Sequence, residues 1–139
     1  MMFKIEIPAK SRVVVVDDES VTRFHSLVLF DLWDQIRLDD FESLNDFDGV
    51  TKAIEQADVI FLDHDLGPTD TIEPLIRWMT DPNAHSLDPH VPIIIHSMNP
   101  PGATWMHKQL RDIGGFTNVN VIPVAWEFVD ITGCVYRDG

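Results

Sequence analysis

Three short apolar runs stand out along the chain: Val13-Val14-Val15-Val16, Val59-Ile60-Phe61-Leu62 and Val91-Pro92-Ile93-Ile94-Ile95. Each is too short for a helix that is stable alone and rich in β-branched residues, so each predicts a strand buried on both faces. Residues 118–122 predict a further strand, closed by Pro123, and the apolar positions Ile36, Leu38, Phe41 and Leu44 predict a short one within 36–44. Between the strands the apolar period changes to that of a helix. Asp17-Asp18-Glu19-Ser20 starts a helix carrying Phe24, Leu27, Val28 and Leu32 to about residue 34, with acids at its positive end. Phe47, Val50, Ala53 and Ile54 predict a second over 46–56. Thr69-Asp70 can cap a third that presents Ile72, Leu75, Ile76 and Met79, with Pro74 tolerated in its first turns. Pro100-Pro101-Gly102 breaks the chain before a fourth over 102–113, with Met106, Leu110 and Ile113 on one face and Gly114-Gly115 ending it.

The ends are less regular. Residues 3–7 alternate apolar and charged positions until Pro8, as an extra edge strand or a loose arm would. Residues 81–90 read as a loop. The tail over 124–139 holds Trp126, Phe128, Val129, Ile131 and Tyr136 without a clean period, which suits a short helix or an extended segment.

Strands alternating with helices at this spacing imply βαβ units with right-handed crossovers. The expected fold is α/β: a flavodoxin-like, doubly wound, five-stranded parallel sheet of order 2-1-3-4-5, helices on both faces. The 139 residues make one domain, 1–139, with a core over 11–123 and the tail 124–139. In that order strands 1 and 3 are neighbours, which brings two acidic stretches together.

Those stretches are the chemistry of the chain. Asp17-Asp18-Glu19 follows the first strand, and Asp63-His64-Asp65 follows the third before Gly67-Pro68 turns the chain away. Ligands bind at the carboxyl ends of strands in open parallel sheets. Converging Asp17, Asp18, Asp63 and Asp65 offer only oxygens, the donor set of Mg²⁺. His64 and His96 each follow a strand, and beside a cation they can serve as acid and base on a phosphodiester or as structural hydrogen bonders. Ser97 can bind phosphate or bond a backbone group. Asn99 with Pro100-Pro101-Gly102 either shapes an anion-facing loop or is a plain helix start. His25, His85, His90 and His107 have no such placement and read as surface residues.

Composition narrows the partners. A net charge of −13 with no Lys/Arg cluster disfavours binding along an extended nucleic-acid backbone. Ten of the 23 acids lie in 17–48 against two basic residues, Arg23 and Arg37, and solubility accounts for most of that charge. No apolar run approaches the roughly 18–20 residues of a membrane span, and the N-terminus lacks a signal-peptide h-region. The single Cys134 leaves no internal disulfide and suits a reducing cytoplasm.

Over about residues 11–123 the chain resembles a response-regulator receiver domain. Val15-Val16-Asp17-Asp18-Glu19 resembles the acidic pair that helps hold Mg²⁺, and Phe61-Leu62-Asp63-His64-Asp65-Leu66 the phosphoacceptor segment. The resemblance makes Asp63 the phosphoacceptor, gives the Asp65 carbonyl to the metal, and puts Ser97 at the hydroxyl position that contacts the phosphoryl group. One departure stands in strand 5: receivers usually end it in Lys-Pro, and here the pair is Ile122-Pro123. The aromatic switch residue is also missing. Leu62-Asp63-His64-Asp65-Leu66-Gly67 and His96-Ser97-Met98-Asn99-Pro100-Pro101-Gly102 are similar to a divergent branch, the cyclic-phosphate-processing receivers.

The expected function is therefore a receiver-like, Mg²⁺-binding regulatory or interaction module with an atypical, lysine-lacking phosphoacceptor site. Its partner would be a phosphate-containing ligand or a protein. The alternative that the branch implies is metal-dependent processing of cyclic phosphate ends, in RNA repair or phage–host conflict, with Asp63, His64, His96 and Ser97 as the reacting group.

Overall fold

The computed structural model describes residues 3–18, 36–97, 99–122 and 129–133. The helix expected over 20–34, with His25, and most of the tail lie outside the described residues. In chain order the elements are β1 (Phe3–Glu6), β2 (Arg12–Val16), β3 (Arg37–Phe41), α1 (Phe47–Glu55), β4 (Val59–Leu62), α2 (Glu73–Thr80), β5 (Ile93–Ile95), α3 (Pro100–Lys108), β6 (Val119–Val121) and β7 (Val129–Gly133).

Five of the strands form one wholly parallel sheet, in the order β3-β2-β4-β5-β6. Counted within that sheet, this is the expected 2-1-3-4-5. The N-terminal segment is a strand, but not an edge of this sheet: β1 pairs in parallel with β7 in a separate two-stranded sheet. The described part of the tail is thus extended. That pairing joins residues more than a hundred positions apart, and no local pattern encodes it.

The register puts Val14, Ile60, Ile93 and Val119 in one row and Val16, Leu62 and Ile95 in the next. These side chains form the core with Val50 and Ile54 of α1, Leu75, Ile76 and Met79 of α2, and Met106 of α3. Fully burying a side chain of this size is worth about 1.5–3 kcal/mol. Val13, Val15 and Phe61, of opposite parity, are buried as well. The central strands are therefore covered on both faces, which is why they read as unbroken apolar runs. β3 is only partly buried and lies at the sheet edge, so it tolerates the acids that weaken its signal.

Helix boundaries differ from expectation in three places, each for a local reason. α3 starts at Pro100, because prolines at the first two helical positions lack only amide protons that would be unpaired anyway. α2 is entered without a cap from Thr69 or Asp70; the Thr71 hydroxyl accepts the Glu73 amide at 3.3 Å instead. After α3 the chain continues as a π-helical turn, Gln109–Ile113, closed by the Gly114 amide on the Gln109 carbonyl at 3.0 Å. The wider turn changes the angular period. Met106 and Leu110 stay buried while Ile113 swings out to 62% exposure, and Phe116 enters the core below it.

Candidate metal centre

The parallel ladder continues one residue beyond each central strand. The amide of Asp63 bonds the Val16 carbonyl at 3.0 Å, that of His96 the Leu62 carbonyl at 3.0 Å, and that of Ile122 the Ile95 carbonyl at 2.9 Å. Asp17, Asp63, His96 and Ile122 thus stand in one row across the carboxyl edge, with the parity of Val15, Phe61 and Ile94. Asp17 is fully buried and Asp63 nearly so.

Asp17, Asp18 and Asp63 each offer a ligand atom within 4.8 Å of the others. At that spacing two unit charges repel by about 3.5 kcal/mol at an effective dielectric of about 20. Burial adds desolvation to this cost. A divalent cation offsets both, and three hard carboxylate oxygens at the mouth of a parallel sheet fit Mg²⁺. The three residues expected to converge from the strand order do so.

The Asp65 carboxylate is not a member of that group. The loop after Asp63 closes on itself: the Ile72 amide bonds the His64 carbonyl at 2.8 Å, and the Leu66 amide bonds the Asp70 carbonyl at 2.9 Å. Gly67, at φ +105°, allows the reversal between them. Asp65 is thereby held at the rim, half exposed, where His64 Nδ1 lies 2.8 Å from its Oδ1. Asn99 Nδ2 approaches both its oxygens, at 3.4 and 3.3 Å. Asn99 itself is the N-cap of α3, its Oδ1 accepting the Gly102 amide at 3.0 Å. Asn99 thus marks the helix start, as both readings of it require.

The two motif histidines occupy unlike environments. His64 keeps 17% of its side chain exposed and stands edge-on to Trp105, with ring centroids 6.2 Å apart. His96 is buried beside Phe61, its Nδ1 3.5 Å from Asp17 Oδ2. Ser97 Oγ accepts the Asn99 amide at 3.1 Å, which fixes the oxygen and leaves its proton to donate. Ile122, at the end of the row, is buried.

His85, expected at the surface, is half-buried and held by specific contacts. Its Nδ1 accepts the Leu87 amide at 3.1 Å and its Nε2 meets the Met79 carbonyl at 2.6 Å, while the ring lies between Trp78 and Phe116. It ties the 81–90 loop to the end of α2. A loop histidine after an aromatic helix end carries no signal of this by itself.

The fold and acidic edge define a receiver domain. A sequence model described as the cyclic-phosphate processing receiver domain matches residues 12–112, and the chain belongs to that family. Among solved structures it is similar to the signal receiver domain of a LuxO repressor protein from Vibrio parahaemolyticus, at 16% identity and TM-score 0.54, over 85% of this chain and 82% of that one. A fusion carrying a yeast Spc42 trimeric coiled-coil segment aligns at 10% identity and TM-score 0.53, over 88% and 72%. The response regulator domain of Thermotoga maritima CheB aligns at 23% identity and TM-score 0.47, over 91% and 82%. The first two likenesses bear on fold alone. No curated protein matches the chain in sequence. No helix among the described residues is long and apolar enough to cross a membrane.

Proposed function

We propose that this receiver is a Mg²⁺-binding regulatory or interaction module whose cation is held by Asp17, Asp18 and Asp63, with the Asp65 carbonyl as a backbone ligand. The observation that carries it is the convergence of three carboxylates, two of them buried, at the ends of adjacent strands. A bound cation would neutralise the cluster and polarise a phosphoryl oxygen. Asp63 would be the phosphoacceptor and the Ser97 hydroxyl a donor to the phosphoryl group. Ile122 brings no charge to that group, so the site would lack the usual lysine contact.

Calorimetric titration with Mg²⁺ tests the cation. Incubation with a small phosphodonor tests the acceptor: a phosphoryl mass increment on Asp63, absent in Asp63→Asn, is expected. Saturable Mg²⁺ binding without any increment would leave a metal-bound interaction module and remove the phosphoacceptor.

A second reading is favoured by the family match and by the His64–Asp65 contact. In it the same edge processes a cyclic phosphate end, opening one P–O bond with water and releasing a monoester. His64 is the group able to take or give the proton there; His96, buried against Asp17, suits a positioning role. EDTA-sensitive release of a monoester from a 2′,3′-cyclic nucleotide is expected, and its absence under saturating Mg²⁺ would remove this reading.

A further inference from the structure

We propose that Asp65 is a positioning residue for His64. Its carboxylate holds the ring in the Nδ1–H tautomer, presenting Nε2 as a fixed hydrogen-bond acceptor to a hydroxyl or water of a phosphate-bearing ligand. This rests on the acidic cation site proposed above, whose Asp63 directly precedes His64.

Neutral imidazole has one donor and one acceptor nitrogen, and the partner of one decides the state of the other. A carboxylate only accepts. The 2.8 Å contact of Nδ1 with Asp65 Oδ1 therefore places the proton on Nδ1. Asn99 Nδ2 also faces Nδ1, but at 3.5 Å, and its shorter approaches are to the two Asp65 oxygens. The amide is oriented by its cap, since Oδ1 is committed to the Gly102 amide. Asn99 thus anchors the carboxylate rather than competing for the ring.

Packing fixes the ring as well. A Cβ on Gly102 would lie 2.5 Å from His64 Cγ and 2.8 Å from Nδ1, so only glycine allows the imidazole to seat against the start of α3. Trp105, one turn later, closes the seat edge-on. Nε2 makes no hydrogen bond among the described residues, and the side chain retains its 17% exposure. The open nitrogen is the one the arrangement presents.

It follows that the Asp65 carboxylate is engaged away from the cation, and that metal affinity and imidazole state are separable. Long-range ¹H–¹⁵N spectra of histidine-labelled full chain at pH about 8, where free imidazole is neutral, read the tautomer. Wild-type His64 should show a protonated Nδ1 and a pyridine-like Nε2. Asp65→Ala should shift the ring to Nε2–H, and Gly102→Ala should do the same by displacing the ring with the carboxylate intact. Mg²⁺ affinity by calorimetry should be unchanged in Gly102→Ala, which alters no residue of the cation site. An Nε2–H ring in the wild type overturns the proposal. So does a ring that stays Nδ1–H in Asp65→Ala, which would show that the carboxylate does not set the tautomer. A wild type with the Nδ1–H tautomer and no Mg²⁺ binding sinks the cation site alone and supports the positioning contact.

Discussion

The carboxyl edge of the sheet has two halves built on one backbone. On the β2–β4 side the row carries Asp17 and Asp63; on the β5–β6 side it carries His96 and Ile122. The ladder bonds that place these four residues are nearly equal, at 2.9 to 3.0 Å. The acidic half gathers carboxylates at one point, while the other half carries an imidazole and an aliphatic side chain. His96 Nδ1 reaches back along the row to 3.5 Å from Asp17 Oδ2, so an imidazole of β5 lies between the two halves. One frame can therefore carry an acidic cluster at one end of the row and an apolar side chain at the other.

Asp63→Asn should break the acidic half most strongly. In EDTA the variant should melt higher than wild type: removing one charge from a repulsion of about 3.5 kcal/mol per pair, less what water screens, leaves a gain of about 1–2 kcal/mol. Asparagine keeps the shape, so no cavity offsets the gain. In Mg²⁺ at about 100 times its Kd the wild type gains about 2.7 kcal/mol, roughly 10 °C for a chain of this size. The variant should gain far less. Equal Mg²⁺ shifts in the two proteins would remove Asp63 from the site.

Ile122→Lys tests the other half. The position is buried, so an amine there costs several kcal/mol of desolvation unless it reaches the acids. Because residue 122 shares its parity with Asp17 and Asp63, the amine has a path to them past His96, and a net loss of about 2 kcal/mol is expected. The loss should be smaller in EDTA, where no divalent cation competes with the amine for the acids. On adding beryllofluoride, NMR shifts over 91–122 should be larger in Ile122→Lys than in wild type. Large shifts already in wild type would show that this edge senses Asp63 without a lysine.

The legible parts of the molecule are those whose cause is local or periodic. Val13 to Val16 and Val59 to Leu62 announce doubly buried strands, and a parallel sheet with right-handed crossovers leaves few orders to choose from. That alone brought Asp17, Asp18 and Asp63 together. What was not legible depends on contacts far apart in sequence. The 2.8 Å turn of Asp65 toward His64 depends on Asn99 and Gly102 from another element, and the parallel pairing of β1 with β7 depends on opposite ends of the chain. The start of α3 could have been read, since Asn99-Pro100 is a cap followed by a helix-compatible proline.

His96→Gln sharpens the comparison at the junction of the halves. A buried ring against Phe61 and Asp17 should make the substitution cost about 1–2 kcal/mol of stability through lost packing. His64→Gln, at a partly exposed site, should cost less. If cyclic phosphate is turned over, His64→Gln should abolish turnover with little change in melting temperature, whereas His96→Gln should lower both. A stable His96→Gln with no turnover would move the proton-transfer role to His96.

The smallest effect belongs to Ser97, whose oxygen has two uses. As an acceptor it holds the Asn99 amide at 3.1 Å and so shapes the entry to α3. As a donor it would meet a phosphoryl oxygen on Asp63. Ser97→Ala removes both, and the stability cost should be about 0.5–1.5 kcal/mol, the net worth of one such hydrogen bond. The amide remains near enough to solvent, at a half-buried loop, to recover part of that from water. Ser97→Thr keeps the hydroxyl and should restore stability, at most losing a few tenths of a kcal/mol to its stiffer side chain. The two uses separate with beryllofluoride as the probe. If the donor role is real, Ser97→Ala should bind it about tenfold more weakly, the equivalent of about 1.4 kcal/mol, while Mg²⁺ affinity stays at the wild-type value because no ligand to the cation has changed. Equal beryllofluoride affinity in Ser97→Ala and wild type, with the stability loss present, would confine Ser97 to holding the helix start.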